Sequence, residues 1–74
     1  NGNLGQAAHI FRRALEHDPN NWTIYRDLGT TCHKLGNIPD AVKTLRQAIE
    51  RAPERELPEL KSYLARLERE LAAY

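Results

Sequence analysis

Cys32 and His33 stand side by side, a thiol next to an imidazole, the two groups that a cysteine nucleophile and its general base would require. Neighbours on a helix point about 100° apart, so in a helical segment these two cannot meet face to face. Cys32 also falls on an apolar stripe, where a small buried core residue is the expected role. His9, His17 and His33 are the metal candidates. No two of them stand four apart, and no second cysteine completes a ligand set of the usual spacing. They read as surface or boundary histidines. Glu54, Glu56 and Glu59 could supply paired carboxylates for acid–base work. Arg51, Arg55 and Lys61 interleave with them, which describes a solvated, charge-mixed connector. Gly2-Asn3-Leu4-Gly5 follows no strand and lacks the Lys-Ser or Lys-Thr end of a phosphate loop. No catalytic residue, cofactor or metal is therefore expected, and the chain is not expected to be an enzyme.

Charge and composition narrow the partners. Arg12, Arg13 and His9, with Lys43 and Arg46, could make a basic strip. Eleven Lys and Arg against ten Asp and Glu leave a net charge of only +1. That is too small a footprint for nucleic acid, and stacking aromatics are not interleaved with the strip. No apolar run approaches the roughly 20 residues a membrane helix needs, so no membrane partner is expected. One cysteine excludes an internal disulfide and fits a reducing compartment, which favours the cytoplasm and leaves the localisation open. The apolar content, 41%, is enough for a packed fold. With 74 residues there is one small domain at most, and a chain of this size buries only roughly 60% of its unfolded surface.

Four helices must position these residues, approximately 4–17, 21–35, 38–51 and 58–73. After a turn at Asn1-Gly2-Asn3, the first has Leu4, Ala7, Ala8, Phe11, Ala14 and Leu15 on one stripe, which Ile10 widens. Asn3 can cap it, with Gln6 at capping-box spacing. Asp18-Pro19 ends it, since proline cannot continue the hydrogen-bond ladder. Asn20 or Asn21 caps the second, whose apolar side is Trp22, Tyr25, Leu28, Gly29 and Cys32, with Leu35 one turn on. Gly36 suits the left-handed residue that stops it. Asn37 caps the third, which buries Ala41, Val42, Leu45, Ala48 and Ile49. After a polar connector, Glu54 to Leu57, Pro58 opens the fourth, with Leu60, Tyr63, Leu64, Leu67 and Leu71 inside. On its outer side Arg66 and Glu70 stand four apart, the spacing of a weak exposed pair.

Internal repetition organises these elements. A shift of 34 residues places Gly2-Asn3 on Gly36-Asn37, Ala7 on Ala41, Phe11 on Leu45, Ala14 on Ala48, Leu15 on Ile49, and Asp18-Pro19 on Ala52-Pro53. Between them, Tyr25, Leu28-Gly29, Cys32, Leu35-Gly36-Asn37, Ala41, Leu45, Ala48 and Pro53 form a series that resembles the tetratricopeptide repeat, both in pattern and in period. The resemblance covers Gly2 to Pro53. It implies an all-α, right-handed α-solenoid fragment of four antiparallel helices, the C-terminal part of an array. Residues 2–20 would be the second helix of a partial repeat, 21–55 a complete repeat, and 56–74 a capping helix. Leu64 then falls where the close-packing Gly29 stood, and no Leu-Gly-Asn stop follows.

The resemblance further implies a protein–protein interaction scaffold that holds a peptide or partner helix on its concave face. The partner-binding positions would be Thr23, Arg26, Asp27, Thr30, His33 and Lys34. One subclass of the family grips chaperone C-terminal carboxylates, and Asp27 stands where that clamp would want an amide, so such a tail is not expected to bind. Read this way, the chain begins within a repeat, and the stripe of Leu4, Ala7, Ile10 and Phe11 lacks a neighbour. Leaving a Leu or Phe exposed forfeits roughly 1.5–3 kcal/mol each. Pairing with another copy through Leu4, Ile10 and Phe11 is thus an alternative expectation, an oligomerisation or structural capping role. A third is an accessory repeat region of a larger enzyme.

Overall fold

A computed structural model describes residues 3–73 as helices joined by short turns. Asn1 and Gly2, where the opening turn was expected, and Tyr74 lie outside the described residues. Helix α1 is Leu4–His17, α2 is Trp22–Lys34, α3 is Ile38–Arg51 and α4 is Leu57–Ala72. Helix α2 lies between α1 and α3, and α4 packs on α3. The boundaries differ from the sequence expectation in two places. Asn21 and Leu35 are the flanking residues of α2 and not part of it. Glu54–Glu56 forms a 3-10 turn that leads directly into α4, so that helix starts at Leu57 and Pro58 sits in its first turn. A proline is tolerated there because its missing N–H would have had no partner.

Asparagines start the first three helices. The Asn3 side chain accepts from the Gln6 backbone N–H at 3.0 Å and donates to the Gln6 side chain at 2.9 Å. Asn21 accepts from the Thr23 backbone N–H, and Asn37 from that of Asp40. Each cap satisfies a first-turn donor that the helix itself cannot. Helix α2 ends as expected at Gly36, with φ of +83°. Gly36 N–H donates to His33 O and Asn37 N–H to Cys32 O, both at 2.9 Å, the two crossed bonds of a glycine-terminated helix.

The core runs between α2, α3 and α4. Ala41, Leu45, Ala48 and Leu67 are wholly buried, with Leu28, Cys32, Val42 and Leu60 nearly so. Gly29 allows the close approach at its centre, against Leu45 and the Ala41 carbonyl. Tyr25 is buried too, and its hydroxyl donates to the Pro19 carbonyl at 2.8 Å, fixing the α1–α2 turn. Two expected core residues are not inside. Ile10 is 55% exposed and Leu35 48% exposed. Leu35 follows the last helical residue, where the chain turns away at Gly36.

Candidate functional site

Helices α2 and α4 both pack on α3, and a cleft of about 410 Å³ opens between them. Trp22, Arg26 and Thr30 line it from α2; Glu59, Tyr63 and Arg66 line it from α4. Spacing explains the α2 wall: steps of four place Trp22, Arg26 and Thr30 one above the other. The Arg26 guanidinium lies over the Trp22 ring, 5.1 Å from its centroid, and Nε pairs with Asp27 at 3.2 Å. Cation–π stacking and the ion pair together hold that side chain along the wall. The Thr30 hydroxyl donates to the Arg26 carbonyl at 3.0 Å.

His33 ties α2 to α4. Its Nε2 lies 3.0 Å from a Glu70 carboxylate oxygen and its Nδ1 2.9 Å from the Tyr63 hydroxyl. A carboxylate can only accept, so the Nε2 proton points to Glu70, and in the neutral ring Nδ1 then accepts from the tyrosine O–H. Burial pushes the Tyr63 hydroxyl pKa up, against opposing pulls from Thr30 and the Arg66 charge, with the Glu70 carboxylate adding to the rise. The protonated donor that the His33 bond requires is thereby favoured. Glu70 is thus engaged with His33, and the expected pairing with Arg66 is not formed.

Of the six groove positions read from the sequence, Arg26 and Thr30 line the cleft and His33 bridges its two walls. Thr23 donates its hydroxyl to the capping Asn21, Asp27 pairs with Arg26, and Lys34 is exposed at the end of α2. Sequence reasoning missed Glu59 and Arg66, and assigned Trp22 and Tyr63 to packing alone. Both aromatics are partly buried and pack on the core, yet each also faces the cleft. A shift of one residue more than the repeat carried a usable signal, because it aligns Leu60, Tyr63, Leu64 and Leu67 of α4 with Tyr25, Leu28, Gly29 and Cys32 of α2.

The remaining chemistry-bearing residues stay apart. Cys32 is buried, and desolvation raises its thiol pKa despite the Arg12 charge, so the nucleophilic thiolate is disfavoured. His9 and His17 are exposed on α1. Among the described residues no group of three or more His, Cys, Asp or Glu could hold a metal ion, and no helix is long and apolar enough to cross a membrane. Arg46, once a member of the basic strip, pairs with Glu68 of α4 at 2.7 Å. The cleft therefore offers aromatic faces, hydrogen-bonding groups and charges of both signs, the means of recognising a polypeptide surface. No curated protein and no solved structure matches the chain. A family model for the tetratricopeptide repeat matches residues 1–67, and the chain belongs to that family.

Proposed function

We propose that the chain is a protein-interaction scaffold whose α2–α4 cleft takes a peptide or helix segment of a partner protein. Repeats of this family generally mediate protein–protein interaction. The observation that carries the reading is the cleft itself: Arg26, its guanidinium over the Trp22 ring, lines it together with Tyr63 and Arg66 of α4. A pre-positioned aromatic–arginine wall needs little ordering on binding, which favours it as an anchor site. In the same reading residues 2–20, 21–55 and 56–74 are a partial repeat, a complete repeat and a capping helix. The exposed Lys61, Glu68 and Arg69 on α4 support the cap.

A displayed library of random peptides, panned against the chain, tests this. Binders are synthesised and titrated by fluorescence anisotropy, with molecular mass followed by light scattering. Arg26→Glu and Arg66→Glu are expected to weaken them by about ten-fold or more and to leave the mass unchanged. Binders indifferent to both charge reversals would reject the cleft. A peptide ending in Glu-Glu-Val-Asp is expected not to bind, because Asp27 adds a negative charge beside Arg26.

A further inference from the structure

The α4 wall of the cleft is electrically polar. Glu59, Tyr63 and Arg66 follow one another in steps of four and three, which places them on one face of the helix. The carboxylate and the guanidinium are therefore two turns apart, about 10 Å along the axis, with the tyrosine between them. Glu56, three residues before Glu59, also lines the cleft, so one end of this wall is acidic and the other basic. Glu59 and Arg66 are exposed, and among the described residues neither side chain forms an ion pair or a hydrogen bond. Other charges of α4 are engaged within the fold, Glu68 with Arg46 and Glu70 with His33. An acid in the first turn of α4 complements the helix dipole, which accounts for Glu59 but not for an unpaired arginine two turns along the same cleft. On the opposite wall the charge of Arg26 is partly offset by Asp27 at 3.2 Å.

We infer that the segment this cleft takes is extended and carries opposite charges three residues apart, its acidic side chain toward Arg66 and its basic one toward Glu59. This rests on the reading of the cleft as a peptide site. Charge complementarity sets the signs: a doubly acidic segment would be repelled by Glu56 and Glu59, and a doubly basic one by Arg66. Chain geometry sets the spacing. In a polyproline II segment residues i and i+3 share an edge and lie about 9 Å apart, close to the separation of the two charges on α4. A β-strand offers no such match, because its same-face residues lie about 7 or 13 Å apart. A helix spans the distance in seven residues, but two turns of a helix about 10 Å across fill roughly 800 Å³. The cleft holds about 410 Å³. The two residues between the charges are apolar, since they meet Tyr63 and Trp22, and aromatic-lined grooves are the surfaces on which polyproline II segments dock.

Phage-displayed peptide libraries that differ only at two fixed positions test this. In the first the two are of opposite charge and three apart, in either order. In the second both are acidic, in the third both are basic, and in the fourth opposite charges stand seven apart, the helical equivalent. Each is panned against the chain and enrichment is read by sequencing. The first library is expected to be enriched about ten-fold or more over the other three. Glu59→Lys in the chain should move the preference to the doubly acidic library, and Arg66→Glu to the doubly basic one. Both residues are exposed, so each variant keeps the wild-type circular dichroism. Equal enrichment of all four, or preference of the unaltered chain for a like-charged library, would overturn the charge pair and leave the cleft a peptide site. Preference for the seven-residue spacing would make the occupant a helix and overturn the extended segment. A preference that neither variant moves, or no enrichment from any library, would reject the peptide cleft itself and the inference with it.

Discussion

A methyl group added at Gly29 would collide with Leu45 Cδ2 and come within 3.5 Å of the Ala41 carbonyl oxygen. Leu45 is wholly buried, so its side chain has nowhere to retreat without moving others. Gly29→Ala regains about 1 kcal/mol of helix propensity. Overpacking typically costs 1–3 kcal/mol, and in a site this tight it outweighs that gain. Net destabilisation of about 1 kcal/mol is expected in urea unfolding. Leu45→Val should partly rescue it, so that the double variant is less destabilised than the sum of the singles. A neutral or stabilising Gly29→Ala would show that the helices can part cheaply. The role of this glycine was readable from its position on an apolar stripe. That of Arg51 was not. Its guanidinium covers the Tyr25 ring at 4.6 Å and its Nη1 donates to the Gln47 carbonyl at 3.0 Å. The aromatic face compensates in part for a buried Nε that has no hydrogen-bond partner. Nothing in a charged residue at the end of a polar helix face announces that it will lid an aromatic from another element.

Periodicity and capping chemistry made the four helices legible, because each carries its own stripe and the first three also carry an asparagine cap and a proline or glycine stop. Relations between helices were legible only where the stripes meet. The α2–α4 junction is different, since polar side chains bridge it. His33 reaches Tyr63 and Glu70 across 30 and 37 residues of sequence, a pairing no local spacing encodes. Two elements joined mainly through side-chain hydrogen bonds should respond to the loss of one. Tyr63→Phe removes the hydroxyl and leaves the ring, at an expected cost of about 0.5–1.5 kcal/mol. It should also change the alkaline limb of stability. The Tyr63 pKa is raised in the folded chain, so its contribution is intact below the ordinary tyrosine value of 10.0 and is lost as pH rises past it, when the unfolded state ionises first. His33, Thr30, Arg66 and Glu70 face this hydroxyl and remain in the variant. Melting temperatures between pH 9 and 11 should therefore fall less steeply in Tyr63→Phe than in the wild type, roughly the range in which tyrosine titrates. Equal slopes would mean that the hydroxyl is no more protected in the folded state than in the unfolded one.

Across the molecule, burial is graded along the stack and not centred on a point. The chain is compact, with a radius of gyration of 11.9 Å, but its helices contact mainly their neighbours in order. In such a quasi-linear assembly, stability is the sum of each helix's own term and its interfaces. Helix α3 is packed by both α2 and α4, and six of its residues are buried. Helix α1 has one well-packed face, and only Ala8 is buried. Helix α4 falls between them, with Leu60 and Leu67 buried on its α3 side and solvent on the other. Local opening should follow that order. Native-state hydrogen exchange is expected to show the slowest amides in α3 and the adjoining centre of α2, close to the free energy of global unfolding. Helix α4 should be intermediate and α1 fastest, because α1 buries only Ala8 whereas α4 buries Leu60 and Leu67 and is also bonded to α2 through His33. Uniform protection along the chain would instead mark the four helices as one cooperative unit, and α1 protected above α3 would contradict the gradient outright.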